Sequence, residues 1–203
     1  MSKKIGLIAE DQSDIDVIIN LLAKYVARNE FTTKKFIGNG CGKLKNKCDT
    51  WAKQLFDSGC SHVIVFHDLD RNDEATLRET LQKKIPQAIF PNSLIVIPIE
   101  ELEAWLLSDV SAIKSVFSLK KAPKKFNSCE SVKSPKESLE KIIWTLGKKR
   151  YLNTVHNQKI AEKTSLIHLR RCASFVLFDT YVRERVFPKL LARSSPSKNG
   201  TAV

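Results

Sequence analysis

Carboxylate side chains follow three separate apolar segments of this sequence, and they are the residues best suited to chemistry. In chain order they are Glu10, then Asp68 and Asp70, then Glu100 and Glu103. Carboxylates that gather closely repel one another unless a cation neutralises them, and an all-oxygen set favours a hard ion such as Mg²⁺ or Mn²⁺. Such ions activate water for phosphodiester hydrolysis. The pattern therefore predicts a Mg²⁺ or Mn²⁺ site with Glu10, Asp68 and Asp70 as catalytic residues.

The spacing within each acidic group supports a shared site. Asp68 and Asp70 are two residues apart, so in an extended segment both side chains point to the same side. Glu100 and Glu103 are three apart at a helix start, where they share one face and where negative charge is favoured. The alternative is that each carboxylate separately caps a turn or helix. Convergence from three strand ends favours the metal site over that alternative.

The elements that must position these groups alternate between strand and helix. Apolar runs predict strands at 4–9, 31–37, 62–67 and 94–99, and helical spacing predicts helices at 14–28, 43–56, 72–84 and 100–108. Such alternation is typical of an α/β fold with a mostly parallel sheet flanked by helices. In open sheets of this class, functional groups collect at the carboxyl ends of the strands. The predicted core comprises residues 1–110.

The second half of the chain is strongly basic and is predicted to be helical. Residues 1–110 hold 14 Lys and Arg against 16 Asp and Glu, whereas residues 111–203 hold 20 against 6. We expect a basic helical lobe over residues 111–193, with one helix starting at Pro135 and one or two more within 164–186, and a disordered tail over 194–203. A basic surface beside an acidic site suits a nucleic-acid partner, although a solvated lysine-rich face is the alternative. The expected phosphate contacts are Lys120, Lys121, Lys124, Lys125 and Lys136.

Several other residues near the acidic groups have competing interpretations. The loop GNGCGK at 38–43 lacks the spacing of a Walker motif and is either a flexible turn or a backbone approach to phosphate. We expect His67 to be packed or hydrogen-bonded, facing away from Asp68, and Trp105 to lie in the core. Asp14 either caps the first helix or, like Asp11, adds to the metal shell. The scattered cysteines predict neither a zinc site nor disulfides.

Three segments resemble the TOPRIM domain, whose signature is a glutamate after the first strand and a D-x-D after a later one. They are IAEDQSD, VIVFHDLDRND and IPIEELEAWLLSD. The segments EELEAWLLSD, SPKESLEKI and RRCASF are similar to a bacterial TOPRIM-like family of small proteins encoded beside ABC-type ATPases in phage-defence operons, related to the nucleases of the overcoming-lysogenization-defect group. The resemblance spans about residues 4–178 and depends on the order and spacing of short motifs.

The resemblance implies a role for each acidic residue. Glu10 would be the general base or a metal ligand, Asp68 and Asp70 metal ligands, and Glu103, with Glu100, a second-site ligand. It also implies a TOPRIM-like Rossmannoid core and an ABC-type ATPase partner. The chain departs from the family at Asp11, where glycine commonly follows the glutamate, and this puts the local backbone conformation in doubt.

The leading functional hypothesis is a cytoplasmic, metal-dependent nuclease that cuts DNA or RNA as the effector of an anti-phage system. A non-catalytic TOPRIM-like scaffold that binds nucleic acid or an ATPase is the main alternative. A phosphoacceptor domain is a third, since receiver domains also place acids after the first and third strands, but Asp70 and the basic lobe argue against it. No segment has the length of apolar sequence that spans a membrane, and a homo-oligomer is a further expectation.

Overall fold

The computed structural model describes residues 2–188, so the tail predicted over 194–203 lies outside the described residues. The strands are β1 (Lys3–Ala9), β2 (Phe31–Ile37), β3 (His62–Phe66) and β4 (Ser93–Val96). The helices are α1 (Gln12–Leu22), α2 (Cys41–Asp57), α3 (Glu74–Lys84), α4 (Glu103–Leu106), α5 (Val110–Phe117), α6 (Pro135–Gly147), α7 (Asn153–Lys163), α8 (Leu166–Leu169) and α9 (Ala173–Tyr181). Short 3-10 turns lie at Arg28–Glu30 and Cys129–Ser131, and a π-helical turn, Val182–Val186, follows α9.

The four strands form one parallel sheet in the order β2-β1-β3-β4. The pairs Ala9 with Ile37, Ile8 with Val65, and Phe66 with Val96 place the carboxyl ends of the strands along one edge. The α/β class and the parallel pairing predicted from the sequence are thereby confirmed, and the architecture is Rossmann-like. The chain runs from β1 outward to β2 and later from β3 outward to β4, so β1 and β3 meet where the strand order reverses.

Helices cover the sheet on both faces. The side chains of Ile8, Val63 and Val65 pack with apolar residues of α2 and α3 on one face. On the other face, Leu7, Ile64 and Val96 belong to a larger cluster with α1 and with helices of the basic half. Gly6 permits the close approach of α2 to β1, because a Cβ at this position would lie 2.9 Å from Leu55 Cδ1.

Helices of the second half of the chain cover much of the sheet face on which the larger cluster lies. Phe175 and Phe178 of α9 pack with Trp105, which is fully buried as expected from the sequence. Helix α7 packs on α1, where Ser13 Oγ donates a hydrogen bond to the Asn153 carbonyl. The division of the chain into a core and a lobe at residue 110 stays a prediction.

Element bounds differ from the sequence prediction mainly around the fourth strand and in the basic half. Regular strand pairing ends at Val96, two residues before Pro98, which has no N–H to donate. The next helix is only Glu103–Leu106, and the predicted start at Glu100 is wrong because that residue has a left-handed backbone (φ 60°). Helices α5 and α7 were not predicted. Over residues 2–188, no helix combines the length and the apolar character needed to cross a bilayer.

Candidate metal centre

The acidic groups lie at the crevice where the strand order reverses. Glu10 follows β1, and Asp68 and Asp70 follow β3, which is the neighbour of β1 in the sheet. In open α/β sheets this crevice, at the carboxyl ends of the strands, is the usual ligand site. The fold therefore brings residues that are almost 60 positions apart in sequence to one place.

Backbone hydrogen bonds extend the pairing beyond the regular strands and fix the loops around the crevice. Gly38 N donates to Ala9 O at 2.9 Å and Asn39 N to Glu10 O at 2.8 Å, so the glycine loop runs beside Glu10. On the other side, Asp70 N donates to Glu100 O at 3.1 Å. The first pair of bonds positions the start of α2 beside the end of β1, and the last positions Glu100 beside Asp70.

Three residues offer ligand atoms close enough to share one cation. Glu10, Cys41 and Asp70 each have one such atom, and these atoms lie within 4.8 Å of one another. Cys41 begins α2 and is exposed, as is Asp70. The structure thus brings together Glu10 and Asp70, as the sequence predicted, whereas Asp68 and Glu103 are outside this group. It adds the Cys41 thiol, although the sequence predicted no metal site at the cysteines.

Three further carboxylates lie next to this group and influence one another. Burial raises the pKa of Asp68 well above its usual range, and the charges of Asp14, Glu103, Glu10 and Asp70 raise it further. Burial likewise raises the pKa of Asp14, with further contributions from Asp11 and Glu103. One Asp68 oxygen, Oδ1, accepts a hydrogen bond from Leu102 N at 3.1 Å. Since so many carboxylates repel one another here, the donor set fits a divalent cation, which would neutralise them.

Glu10 has the environment of a group that exchanges a proton near neutral pH. Burial raises its pKa to about 7, and the charges of Asp70 and Asp11 contribute in the same direction. Its side chain is 19% exposed, while its Oε1 atom is buried without a hydrogen-bond partner among the described residues. Such an oxygen is available to a cation or to a water molecule.

His67 is buried and hydrogen-bonded as expected, but it also lies beside the acidic site. Its ring is 2% exposed, and Nδ1 lies 2.7 Å from Asp68 O and 3.8 Å from Glu10 Oε1. Burial lowers the pKa of His67, so the imidazole is neutral at pH 7. The other ring nitrogen, Nε2, has no hydrogen-bond partner within the described part of the chain. The neutral imidazole therefore lies beside Glu10 without cancelling the charge of its carboxylate.

A buried hydrogen-bond network holds Glu103 in place. Asn157 Nδ2 donates to Glu103 Oε1 at 2.9 Å and to Ser13 Oγ at 3.2 Å, and Tyr151 Oη donates to Asn157 Oδ1. Burial raises the pKa of Glu103, whereas the Asn157 hydrogen bond lowers it. Because Asn157 lies on α7, the basic half of the chain completes the acidic site.

Asp11 and Asp14 have different roles in the structure, although the sequence left both capping of the first helix and addition to the metal shell open. Asp11 caps α1: its Oδ1 accepts from Asp14 N at 3.0 Å, and Asp14 Oδ2 accepts from Asp11 N at 3.2 Å. The cap residue is therefore Asp11 rather than Asp14, and Asp14 is the third residue of the helix, buried toward the acidic groups. Asp11, in place of the glycine common in the resembling family, has an extended backbone with φ −138°.

Backbone strain is concentrated beside the same carboxylates. Asp70, Arg71 and Glu100 have left-handed backbones with φ of 48°, 63° and 60°. Non-glycine residues rarely adopt this conformation, and such strain clusters at functional sites. These three residues line a surface hollow of about 180 Å³ together with Glu101, Lys133, Ser134 and Glu137. Glu100 thus faces a hollow shared with Asp70 but is outside the group that could share one cation.

The lysines predicted to contact phosphate occupy two places. Lys136 lies in the first turn of α6, its N–H donates to Glu101 Oε2 at 2.9 Å, and its charge acts on both Glu101 and Glu103. Lys120, Lys121, Lys124 and Lys125 are exposed in the segment between α5 and α6. Lys124 and Lys125 line a shallow groove with Ile142 of α6. Only Lys136 is close enough to the acidic residues to influence their pKa values.

Comparison with known proteins identifies a family for nearly the whole of this fold. A search of curated proteins and a search of solved structures each returned no match. The family model described as "Domain of unknown function (DUF4276)" matches residues 9–182, a range that begins just before Glu10 and includes every residue of the acidic site and of α6 and α7. The chain therefore belongs to the DUF4276 family.

Proposed function

We propose that this protein is a nuclease that hydrolyses phosphodiester bonds of DNA or RNA with Mg²⁺ or Mn²⁺. The observation that carries the proposal is the convergence of Glu10, Asp68 and Asp70, with raised pKa values at Glu10 and Asp68, in the crevice between β1 and β3. Glu10 and Asp70, which with Cys41 have ligand atoms within 4.8 Å of one another, would hold the ion, and the adjoining carboxylates of Asp68 and Glu103 would complete its shell. The ion would supply Lewis-acid activation of water and of the phosphate.

The residues around the ion have separable roles in this proposal. Glu10 would accept the proton of the attacking water through a carboxylate oxygen that does not bind the ion, and neutral His67 lies beside that carboxylate. Lys136 balances the charge of the incoming phosphate at the edge of the acidic group. The basic half attracts the polyanion to a site whose own residues would repel it.

We extend the proposal to the cellular setting through the TOPRIM-like resemblance. There the protein would be cytoplasmic and the effector subunit of an anti-phage system, with an ABC-type ATPase as partner. The alternative is a TOPRIM-like scaffold that binds nucleic acid or the ATPase without cutting. The strained backbone at Asp70 and Glu100 and the unpartnered Glu10 Oε1 favour catalysis, because a scaffold has no need of either feature.

The direct test is cleavage of labelled DNA and RNA by the full chain in Mn²⁺ or Mg²⁺. Glu10→Ala and Asp68→Ala should each lower the rate by at least a hundredfold, which is the usual effect of removing a metal ligand or a general base. The matched control is Glu79→Ala, an exposed carboxylate of α3 that pairs with Lys83 and should leave the rate unchanged.

Manganese titration separates the nuclease from the scaffold. Wild-type protein should bind Mn²⁺ and the Asp68→Ala variant should bind it far more weakly, which is measurable by paramagnetic resonance of the free ion. Nucleic-acid binding with neither Mn²⁺ binding nor cleavage would support the scaffold. Equal Mn²⁺ affinity in the wild type, Glu10→Ala and Asp68→Ala proteins would refute the proposed site.

A further inference from the structure

A groove beside α6 lies outside the acidic site and has an unusual composition. It has a volume of about 440 Å³ and is lined by Trp144 and Tyr151, by the basic residues Lys141, Lys149 and Arg150, and by two glutamates that include Glu137. We refer to it as the α6 groove. It combines an aromatic surface with several cations, and none of its residues is a proposed ligand of the ion.

Trp144 is the feature of the α6 groove that packing does not explain. Its side chain is 56% exposed, although α6 buries Leu139 and Ile143 on its opposite face. The Lys148 ammonium lies 5.7 Å from the centroid of the Trp144 ring. Large aromatic rings are costly to leave in water, and an exposed indole with cations beside it can serve as a platform on which an unpaired base stacks.

The cations around Trp144 differ in how firmly they are held. Lys149 Nζ donates to Phe117 O at 2.7 Å, so its charge is fixed at the groove wall. Lys141 and Arg150 are exposed and make no hydrogen bond or ion pair with any described residue. Lys148 adopts a left-handed backbone at the end of α6 (φ 51°), which turns the run of residues 148–150 back toward the groove. Free guanidinium and ammonium groups beside an exposed ring match the alternation of phosphate and base in a nucleic-acid strand.

The α6 groove adjoins the acidic site. Glu137 lines both the groove and the hollow that contains Asp70 and Glu100. The groove wall at Tyr151 is joined to Glu103 through Asn157 by consecutive hydrogen bonds. Glu137 and Trp144 are seven residues apart on α6, a rise of about 10 Å. A strand that enters along α6 would therefore reach the carboxylates within a few nucleotides.

We propose that the α6 groove binds single-stranded nucleic acid, with one base stacked on Trp144 and phosphates contacted by Lys141 and Arg150. This inference rests on the proposed nuclease function and names its substrate class. A duplex would offer Trp144 only paired, stacked bases, whereas a single strand exposes the base faces that an aromatic ring can contact.

The test measures binding without cleavage, in EDTA, by anisotropy of a labelled single-stranded oligonucleotide and of its duplex. Trp144→Ala should weaken single-strand binding about tenfold, because base stacking on one aromatic ring has about that effect. Trp144→Phe should retain most of the affinity. The control is Ile89→Ala, which removes another exposed apolar side chain, 68% exposed, outside the groove. Wild-type tryptophan fluorescence should be quenched by the single strand, and Trp144→Phe should remove most of this quenching, since Trp105 is fully buried and the half-buried Trp51 stacks on Phe36 outside the groove.

Two outcomes would overturn the inference. One is unchanged single-strand affinity in Trp144→Ala and Arg150→Gln, and the other is equal or tighter binding of the duplex. Failure of the two proposals is distinguishable. Trp144-dependent binding without cleavage in Mn²⁺ would support the groove assignment and contradict the nuclease proposal. Cleavage with the same KM in wild type and Trp144→Ala would support the nuclease proposal and contradict the groove assignment.

Discussion

At the scale of single residues, the site is defined by carboxylates held in an unfavourable electrostatic state. Burial raises the pKa values of Glu10, Asp14, Asp68 and Glu103, so the folded protein without metal holds protons that the unfolded chain releases. A cation that binds the ionised carboxylates of the folded protein displaces these protons. Protonation and metal binding therefore compete for the same oxygens.

The first prediction concerns pH. Glu10 has an ordinary pKa of 4.5 and a folded-state pKa of about 7, so its contribution to metal-free stability is complete below pH 4.5 and is lost as pH rises through 7. Buried His62 and His67, whose pKa values are lowered, act in the opposite direction below about pH 6.5. Calorimetry in EDTA should thus give a lower Tm at pH 8 than at pH 6.5. Mn²⁺ should raise Tm more at pH 8 than at pH 6.5. Glu10→Gln should reduce both the pH dependence of Tm and the increase of Tm by Mn²⁺.

The second prediction concerns Asp68, whose charge is costly in the metal-free protein. Asp68→Asn keeps an Oδ1 acceptor for Leu102 N and removes the repulsion from Asp14, Glu103 and Glu10. We expect a metal-free Tm at pH 8 that is higher by several degrees, since each kcal/mol shifts Tm by about 2–4 °C in a chain of this size. Mn²⁺ should no longer raise it. Asp57→Asn, at an exposed position, is the control and should shift Tm by about 1 °C or less.

The sequence could predict the acidic residues but not all of their neighbours. Glu10, Asp68 and Asp70 directly follow apolar strands, so their positions follow from local pattern and parallel pairing. Cys41 is brought to Glu10 by the bonds of Gly38 and Asn39 to β1, which no local pattern encodes. Asn157 lies on α7, whose weak apolar periodicity gave no prediction of a helix. The only indication in the sequence is that this polar residue lies between Val155 and Ile160, at a position that a helix would direct toward the core.

At the scale of elements, the precision of the site depends on how closely α2 approaches β1. Helix α2 carries Cys41 at its start and packs Leu55 directly over Gly6. The strand and helix order was predictable, because apolar runs and turn residues mark it. The closeness of this contact was not, since it depends on side chains far apart in sequence.

The third prediction tests that contact with two glycines. Gly6→Ala would place a Cβ 2.9 Å from Leu55 Cδ1 and 3.1 Å from Val63 Cγ2, so we expect a loss of about 1–3 kcal/mol in the free energy of unfolding. The matched change is Gly42→Ala in the first turn of α2, where an added Cβ meets no atom within 4 Å. It should stabilise the protein by about 0.5 kcal/mol. Urea unfolding of both variants measures the difference, and equal destabilisation would contradict the close packing.

At the scale of the whole molecule, the first 110 residues and the basic second half contribute to one hydrophobic cluster. Lys124 and Lys125 line a groove with Ile142 of α6, and the α6 groove lies along the same helix. Charge composition alone predicted a basic second half. Charge composition gave no information on the exposure of Trp144, because an aromatic residue among the apolar positions of a helix normally lies in the core.

The fourth prediction concerns salt. Replacing Lys120, Lys121, Lys124 and Lys125 with Gln should weaken nucleic-acid binding and reduce the slope of log affinity against log salt by up to about three, at about 0.7 for each phosphate contact on a single strand. The control replaces Lys43, Lys47, Lys53 and Lys83, which are exposed lysines of α2 and α3. An unchanged slope in the first variant would assign these lysines to a solvated surface.

The hydrogen bonds from α7 to Ser13 and Glu103 have a consequence for synthesis of the protein in the cell. A ribosome makes the acidic strands first and the helix that secures their carboxylates late. A nascent chain therefore lacks these hydrogen bonds to Ser13 and Glu103 until Asn157 has emerged from the exit tunnel. If the proposed hydrolysis requires Glu103 to be held in this way, it would begin only after the α7 segment had left the ribosome.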